Sequence, residues 1–175
     1  MDYKKFYNDE QYLLEEVGPH FRAIGNLAPA DFYTLLNWKS PRNKNMHLKR
    51  LKAIAGTFKA AIAQIAAELY GAVDQKRRLE ILMNKWGFAL PTASAILTIL
   101  FPADFTVFDW RACGEVRVDY KPWNQRSFSD ALWEHYEAFR QAVIDQVPSE
   151  PELREKDRFL IGRSIRNEVE KVCAE

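Results

Sequence analysis

The chain predicts an all-α fold, on three observations. Apolar residues recur at three- and four-residue intervals along most of its length. Prolines, glycines and capping carboxylates or hydroxyls punctuate those stretches where helices should begin and end. Strand signals are few: Phe105–Phe108 is the only short β-like run, and it fits a connector. With 175 residues, 47% of them hydrophobic, the chain can bury a packed interior as a single domain.

The elements follow in order. Asp9 to Val17 forms a first helix, with Tyr12, Leu13 and Val17 on one side. Pro29 opens a second, since a missing N–H costs nothing at the first helical position, and Phe32, Leu35 and Leu36 face inward. It ends near Ser40-Pro41, and Arg42 to Asn45 is a loop. The longest helix is expected from His47 to Tyr70, along the stripe Leu51, Ile54, Phe58, Ile62, Ile65 and Leu69. Gly71 ends it, and Asp74 caps the next, through Leu79, Ile81 and Leu82. Gly87 marks a hairpin. Pro91 then sits in the first turn of a helix, Thr92 to Leu100, that is apolar nearly all round and predicts the buried centre of the fold. Pro102 stops it, and Asp109 reads as the N-cap of Trp110 to Arg117. Val118 to Arg126 is a loop. Ser127 or Ser129 opens a helix to about Val147. The last helix runs from about Pro151 to Val172, with Leu153, Phe159, Leu160, Ile165 and Val169 inward.

Composition narrows the function classes. No run of 18 apolar residues is present, so no membrane span is expected, and the charged start MDYKKFYNDEQ has no apolar signal core. A cytoplasmic location follows as the expectation. Cys113 and Cys173 are too few for a disulfide framework or a four-cysteine iron–sulfur cluster. His20, His47 and His135 make no metal-ligand pattern, and no cofactor is implied. The net charge is only +1 but unevenly placed. From Phe32 to Ala67 there is no acid, while Lys39, Arg42, Lys44, Lys49, Arg50, Lys52 and Lys59 fall in that interval. Such a run is either a solvated face or a surface for phosphates.

The most informative stretch is KWGFALPTASAILTILFPADFTVFDWR, Lys85 to Arg111. A glycine turn at a helix N-terminus offers backbone N–H groups to a phosphate. A carboxylate at Asp109 can face the same place if the intervening helix runs across and the chain turns back. The stretch resembles the helix-hairpin-helix DNA glycosylase superfamily. Gly87 matches the first hairpin glycine, Phe88 the apolar residue after it, Ala89 the second glycine, and Thr92-Ala93 the Thr-Ala pair. Asp109 falls at the family's spacing for the catalytic aspartate, after the apolar run Thr106-Val107-Phe108.

The resemblance implies a two-lobed helical protein that binds DNA, flips a modified or damaged base and hydrolyses its N-glycosidic bond. A bundle would span about 28–118, with the hairpin at 83–100, and a second lobe would comprise 1–27 and 119–175. Asp109 would stabilise the oxocarbenium-like sugar and help water attack it. Gly87, Phe88 and Ala89 would offer N–H groups to a phosphate, and Thr92 would either bond a phosphate or pack. Two departures stand out. Bifunctional members carry a nucleophilic lysine directly before the Thr-Ala pair. Pro91 stands there instead, so strand cleavage by β-elimination is not expected. Lys85 lies before the hairpin and does not inherit that role. Ala89 replaces a glycine, at a cost of about 1 kcal/mol if the position needs positive φ.

Around this motif, Lys39, Arg42, Lys44, Lys85 and Arg111 are candidate DNA contacts. Arg111 would either hold Asp109 ionised or reach a phosphate. Trp38, Trp86 and Trp110 either stack on bases, for about 1–3 kcal/mol each, or bury in the core. Arg154, Asp157 and Arg158 read as salt bridges between lobes. The alternative function is a non-catalytic helix-hairpin-helix DNA-binding protein, and a third is a protein–protein module. The sequence leaves the base recognised and the oligomeric state open.

Overall fold

A single buried helix organises the molecule. In the computed structural model, which describes residues 7–125 and 127–174, every residue from Thr92 to Leu100 is buried. The first six residues of the charged start and Arg126 of the expected loop lie outside the described residues. Nine helices and no strand are present among the described residues, so the fold is all-α. None of those helices is long and apolar enough to cross a membrane.

Helix α1 (9–24) is longer than the periodicity predicts. It passes through a π-helical segment, Leu13–Val17, and continues to Ile24. Helix α2 (Pro29–Lys39) starts on its proline and buries Phe32, Leu35 and Leu36, as its spacing predicts. The expected long helix is two: α3 (Lys44–Ala55) and α4 (Phe58–Gly71). Gly56 at φ +79 turns the chain, and the Thr57 hydroxyl accepts the Ala60 N–H at 3.0 Å to start α4. The apolar spacing runs on through that break, which conceals it. Ile54 is therefore exposed, while Leu51, Ile62, Ile65 and Leu69 are buried.

Helix α5 (75–85) is capped by Asp74, which accepts the Arg77 N–H at 2.7 Å, and ends in a π-helical turn, Ile81–Lys85. Helix α6 (Leu90–Leu100) packs against α1, α2 and α5. Helix α7 (Trp110–Val116) begins on Asp109. Helix α8 (Asp130–Gln146) begins on Ser129, whose hydroxyl accepts the Leu132 N–H at 3.1 Å. Helix α9 (Leu153–Cys173) closes the chain. Phe21, Phe32, Phe88, Phe105, Phe108, Tyr136, Phe139 and Trp86 fill the core, each burial stabilising by roughly 1.5–3 kcal/mol.

Helix α9 differs from its pattern. Leu153 and Leu160 are buried, but Phe159, Ile165 and Val169 are exposed. The face it turns to α7 is polar: Arg163 pairs with Glu115, and Ser164 and Glu168 meet the Arg111 guanidinium. Ion pairs rather than apolar packing set the orientation of its second half.

Candidate functional site

Three segments meet at the N-terminal end of α6. The hairpin 86–89 leads directly into it. Loop 118–125 reaches it where Gln125 C=O accepts the Leu90 N–H at 2.9 Å. The connector 101–108 returns to it from the far end: the Phe108 N–H donates to Ser94 Oγ at 2.9 Å. Ser94 lies four residues past Leu90, about 6 Å along the axis at 1.5 Å per residue. The chain thus turns back along α6, and Asp109 follows Phe108 on the half of that helix into which the hairpin leads.

The connector is fixed by buried polar contacts, which a strand would have obtained from a neighbouring strand. Tyr136 Oη donates to Thr106 C=O at 2.8 Å and accepts the Thr106 N–H at 3.0 Å. Asp157 of α9 accepts the Thr106 hydroxyl at 2.9 Å and the Val107 N–H at 3.1 Å. Asp157 is fully buried and ion-paired with Arg154, which also binds Glu10 of α1 at 2.8 Å. Arg158 pairs with Glu10 and Glu155. Of the charge group read as salt bridges, Asp157 alone reaches the connector; Arg154 and Arg158 tie α9 to α1.

Asp109 has φ −121 and ψ 142, as an N-cap should. Its Oδ1 accepts the Arg111 N–H at 2.9 Å. Its Oδ2 lies 3.5 Å from Lys39 Nζ, at the C-terminal end of α2. The pair is complementary to both helix dipoles, an acid at one N-terminus and a base at one C-terminus. It is half-buried, with side chains 18% (Lys39) and 23% (Asp109) exposed. Burial holds the Lys39 amine below its usual value, with Arg154 adding to that and Asp109 and Asp157 opposing it. Nearby, burial and then the Asp109 charge push the Cys113 thiol up to about 12, which makes it unreactive.

The hairpin departs from the phosphate cradle expected of it. The Gly87 N–H donates to Met83 C=O and the Phe88 N–H to Leu82 C=O, both at 3.0 Å, closing the end of α5. Only Ala89 keeps a hairpin N–H with no hydrogen bond among the described residues. Gly87 needs its glycine: φ is +68, and a Cβ would lie 2.9 Å from Arg50 Cδ, whose guanidinium binds Gly87 C=O. Ala89 does not need one, at φ −72 and ψ 154, so the expected cost of alanine there is absent. Phe88 is buried, its ring 5.1 Å from that of His47. Thr92 is buried as well and packs.

The other candidates separate by position. Trp86 is fully buried and its indole N–H donates to Glu68 at 3.0 Å, so it is not available to stack on a base. Trp38 is partly buried, with the Arg154 guanidinium 5.5 Å from its ring. Trp110 is 55% exposed beside Asp109, with the Arg111 guanidinium 4.3 Å over its ring. The Arg111 side chain thus turns to Trp110 and Glu168 (2.6 Å), and it is the backbone N–H of Arg111 that holds Asp109. Lys85 is ion-paired with Glu68, which offsets its charge. Lys44 donates to Asn37 at 2.8 Å. Arg42, Lys49, Lys52 and Lys59 are exposed and pair with no acid among the described residues, so four of the seven cations remain for an anionic partner.

Ser94, Tyr120 and Asp157 belong to the site although the sequence did not single out Ser94 or Tyr120. Tyr120 stacks on Phe108 at 5.3 Å, next to Asp109. Ser94 had a weak signal, one of three hydroxyls in a largely apolar helix. Tyr120 had none, because it meets Phe108 only once α7 has folded the loop 118–125 back onto the connector. Comparisons with protein-family models, curated proteins and solved structures find no match to this chain.

Proposed function

We propose that this protein cleaves the N-glycosidic bond of a modified or damaged base in DNA, with Asp109 as the carboxylate beside the sugar. One observation supports the reading: the connector returns along α6 to Ser94, in the half of that helix into which the hairpin leads, and Asp109 follows directly after it. A carboxylate there stabilises positive charge developing at C1′ and orients the attacking group. Trp110, exposed at the same helix start, offers an aromatic face to an unstacked base. Arg42, Lys49, Lys52 and Lys59 supply the cationic surface.

A second reading, a DNA-binding protein without catalysis, has its own support. Both Asp109 oxygens are engaged, by the Arg111 N–H and by Lys39, as a purely structural cap would be. A base-release screen against duplex oligonucleotides carrying oxidised, alkylated and deaminated bases separates the two. Release of one class, leaving an abasic site, supports cleavage. Salt-sensitive binding with every base retained supports the second reading. Absence of both removes DNA from the function.

A further inference from the structure

We infer that a second site on this protein binds an aliphatic carboxylate, in a cavity of about 910 Å³ between α1, the start of the connector, the end of α8 and the first turn of α9. The cavity includes neither Asp109 nor the hairpin, and the inference does not depend on the reaction proposed for them.

The charges that line the cavity sort by whether the fold already satisfies them. Arg154 is taken by Glu10 and Asp157, and Arg158 by Glu10 and Glu155. Lys156 and Arg22 remain, and neither pairs with an acid among the described residues. Lys156 is only 7% exposed. Its ammonium has three hydrogens to donate, and the Val147 C=O at the end of α8 takes one. Arg22 meets backbone oxygens, Ile99 C=O at 3.4 Å and Leu100 C=O at 3.3 Å. A buried ammonium is costly until it is both paired and hydrogen-bonded. Glu15 and Glu152 also line the cavity without a base, but both are exposed, so water satisfies them. The unanswered buried charge is therefore positive. The start of α9 has the same sign, because its N-cap residue Glu152 makes no side-chain hydrogen bond to the first turn.

The walls select the rest of the ligand. Leu14, Pro102, Ala103, Ile144, Pro151 and Leu153 supply them, with no aromatic ring among the described lining residues. Aliphatic walls suit an alkyl chain, whereas planar ring systems gain from aromatic faces. The volume is that of a site for a small organic molecule and far exceeds what a bare inorganic anion fills. A carboxylate head accepts from Lys156 and Arg22, and the chain covers the apolar wall.

The test is an NMR titration of the whole isotope-labelled protein with octanoate. Saturable shifts are expected at the Leu14, Ala103, Ile144 and Leu153 amides. Hexanoate, two methylenes shorter, should bind roughly 4- to 15-fold more weakly. Octylammonium and inorganic phosphate, which lack the head charge and the chain respectively, should each bind at least about tenfold more weakly than octanoate. Lys156→Met should weaken octanoate by about tenfold or more, and Lys59→Met, at an exposed site on α4, should leave it unchanged. The ligand series and the mapping are read in the wild-type protein, so they decide the question even if Lys156→Met does not fold. No saturable binding, shifts confined to other residues, or phosphate or octylammonium binding as tightly as octanoate overturns the inference.

Discussion

Ser94 Oγ accepts the buried Phe108 N–H at 2.9 Å, and that bond fixes where Asp109 stands relative to the hairpin. The Ser94 hydroxyl, one of three in this largely apolar helix, positions the carboxylate through the neighbouring residue. Ser94→Ala leaves a buried N–H without its acceptor, at a cost of about 1–3 kcal/mol. Denaturant unfolding should show that loss. Base release should fall further than DNA binding, because the acid rather than the cationic surface is displaced.

The two hairpin positions make opposite predictions. Gly87→Ala forces a side chain to φ +68 and into Arg50, for a loss of about 1–2 kcal/mol. Ala89→Gly introduces the glycine of the resembled hairpin pattern where φ is −72, so the only effect is a freer unfolded chain and a loss of roughly 0.4–1 kcal/mol. A gain in stability at Ala89→Gly would mean that the hairpin backbone differs from that described.

Asp157→Asn keeps acceptors for the Thr106 hydroxyl and Val107 N–H but removes the charge that Arg154 faces. Breaking a buried pair this way costs about 3–5 kcal/mol, here reduced by the remaining Glu10 partner. Thermal or denaturant melts should show a large destabilisation, while Arg158→Ala, half-exposed, should cost under about 1 kcal/mol.

Lys39 gives a pH signature. Its folded-state pKa lies below the ordinary 10.5, so between the two values the unfolded chain binds more protons than the folded one. Stability contributed by this group is therefore absent at neutral pH, where the ammonium must be buried, and is gained as pH rises through the folded value toward 10.5. Asp109, Arg154 and Asp157 are the charged groups that act on it, and their net effect leaves the shift downward. Unfolding curves across that range should show the wild type gaining stability relative to Lys39→Met. A constant difference would contradict the shift.

Local chemistry was legible in the sequence. Asp74, Asp109 and Ser129 cap the helices that their positions predict, because a cap depends on residues two or three away. The buried centre at Thr92–Leu100 was legible from its continuous apolar character. The break at Gly56 was not, because Leu51, Ile62 and Ile65 keep their spacing across it. Trp86 and Glu68, or Lys39 and Asp109, are partners that only the packed chain brings together. The outward Ile165 and Val169 follow from charged contacts between α7 and α9 that no hydrophobic pattern reports.

The most direct measurement is base release by Asp109→Asn beside its DNA binding. Asparagine still caps α7, so the fold and the binding surface stay in place. Binding within about twofold of wild type and release slower by about 100-fold or more is the predicted result. Release at the wild-type rate would contradict the role given to Asp109.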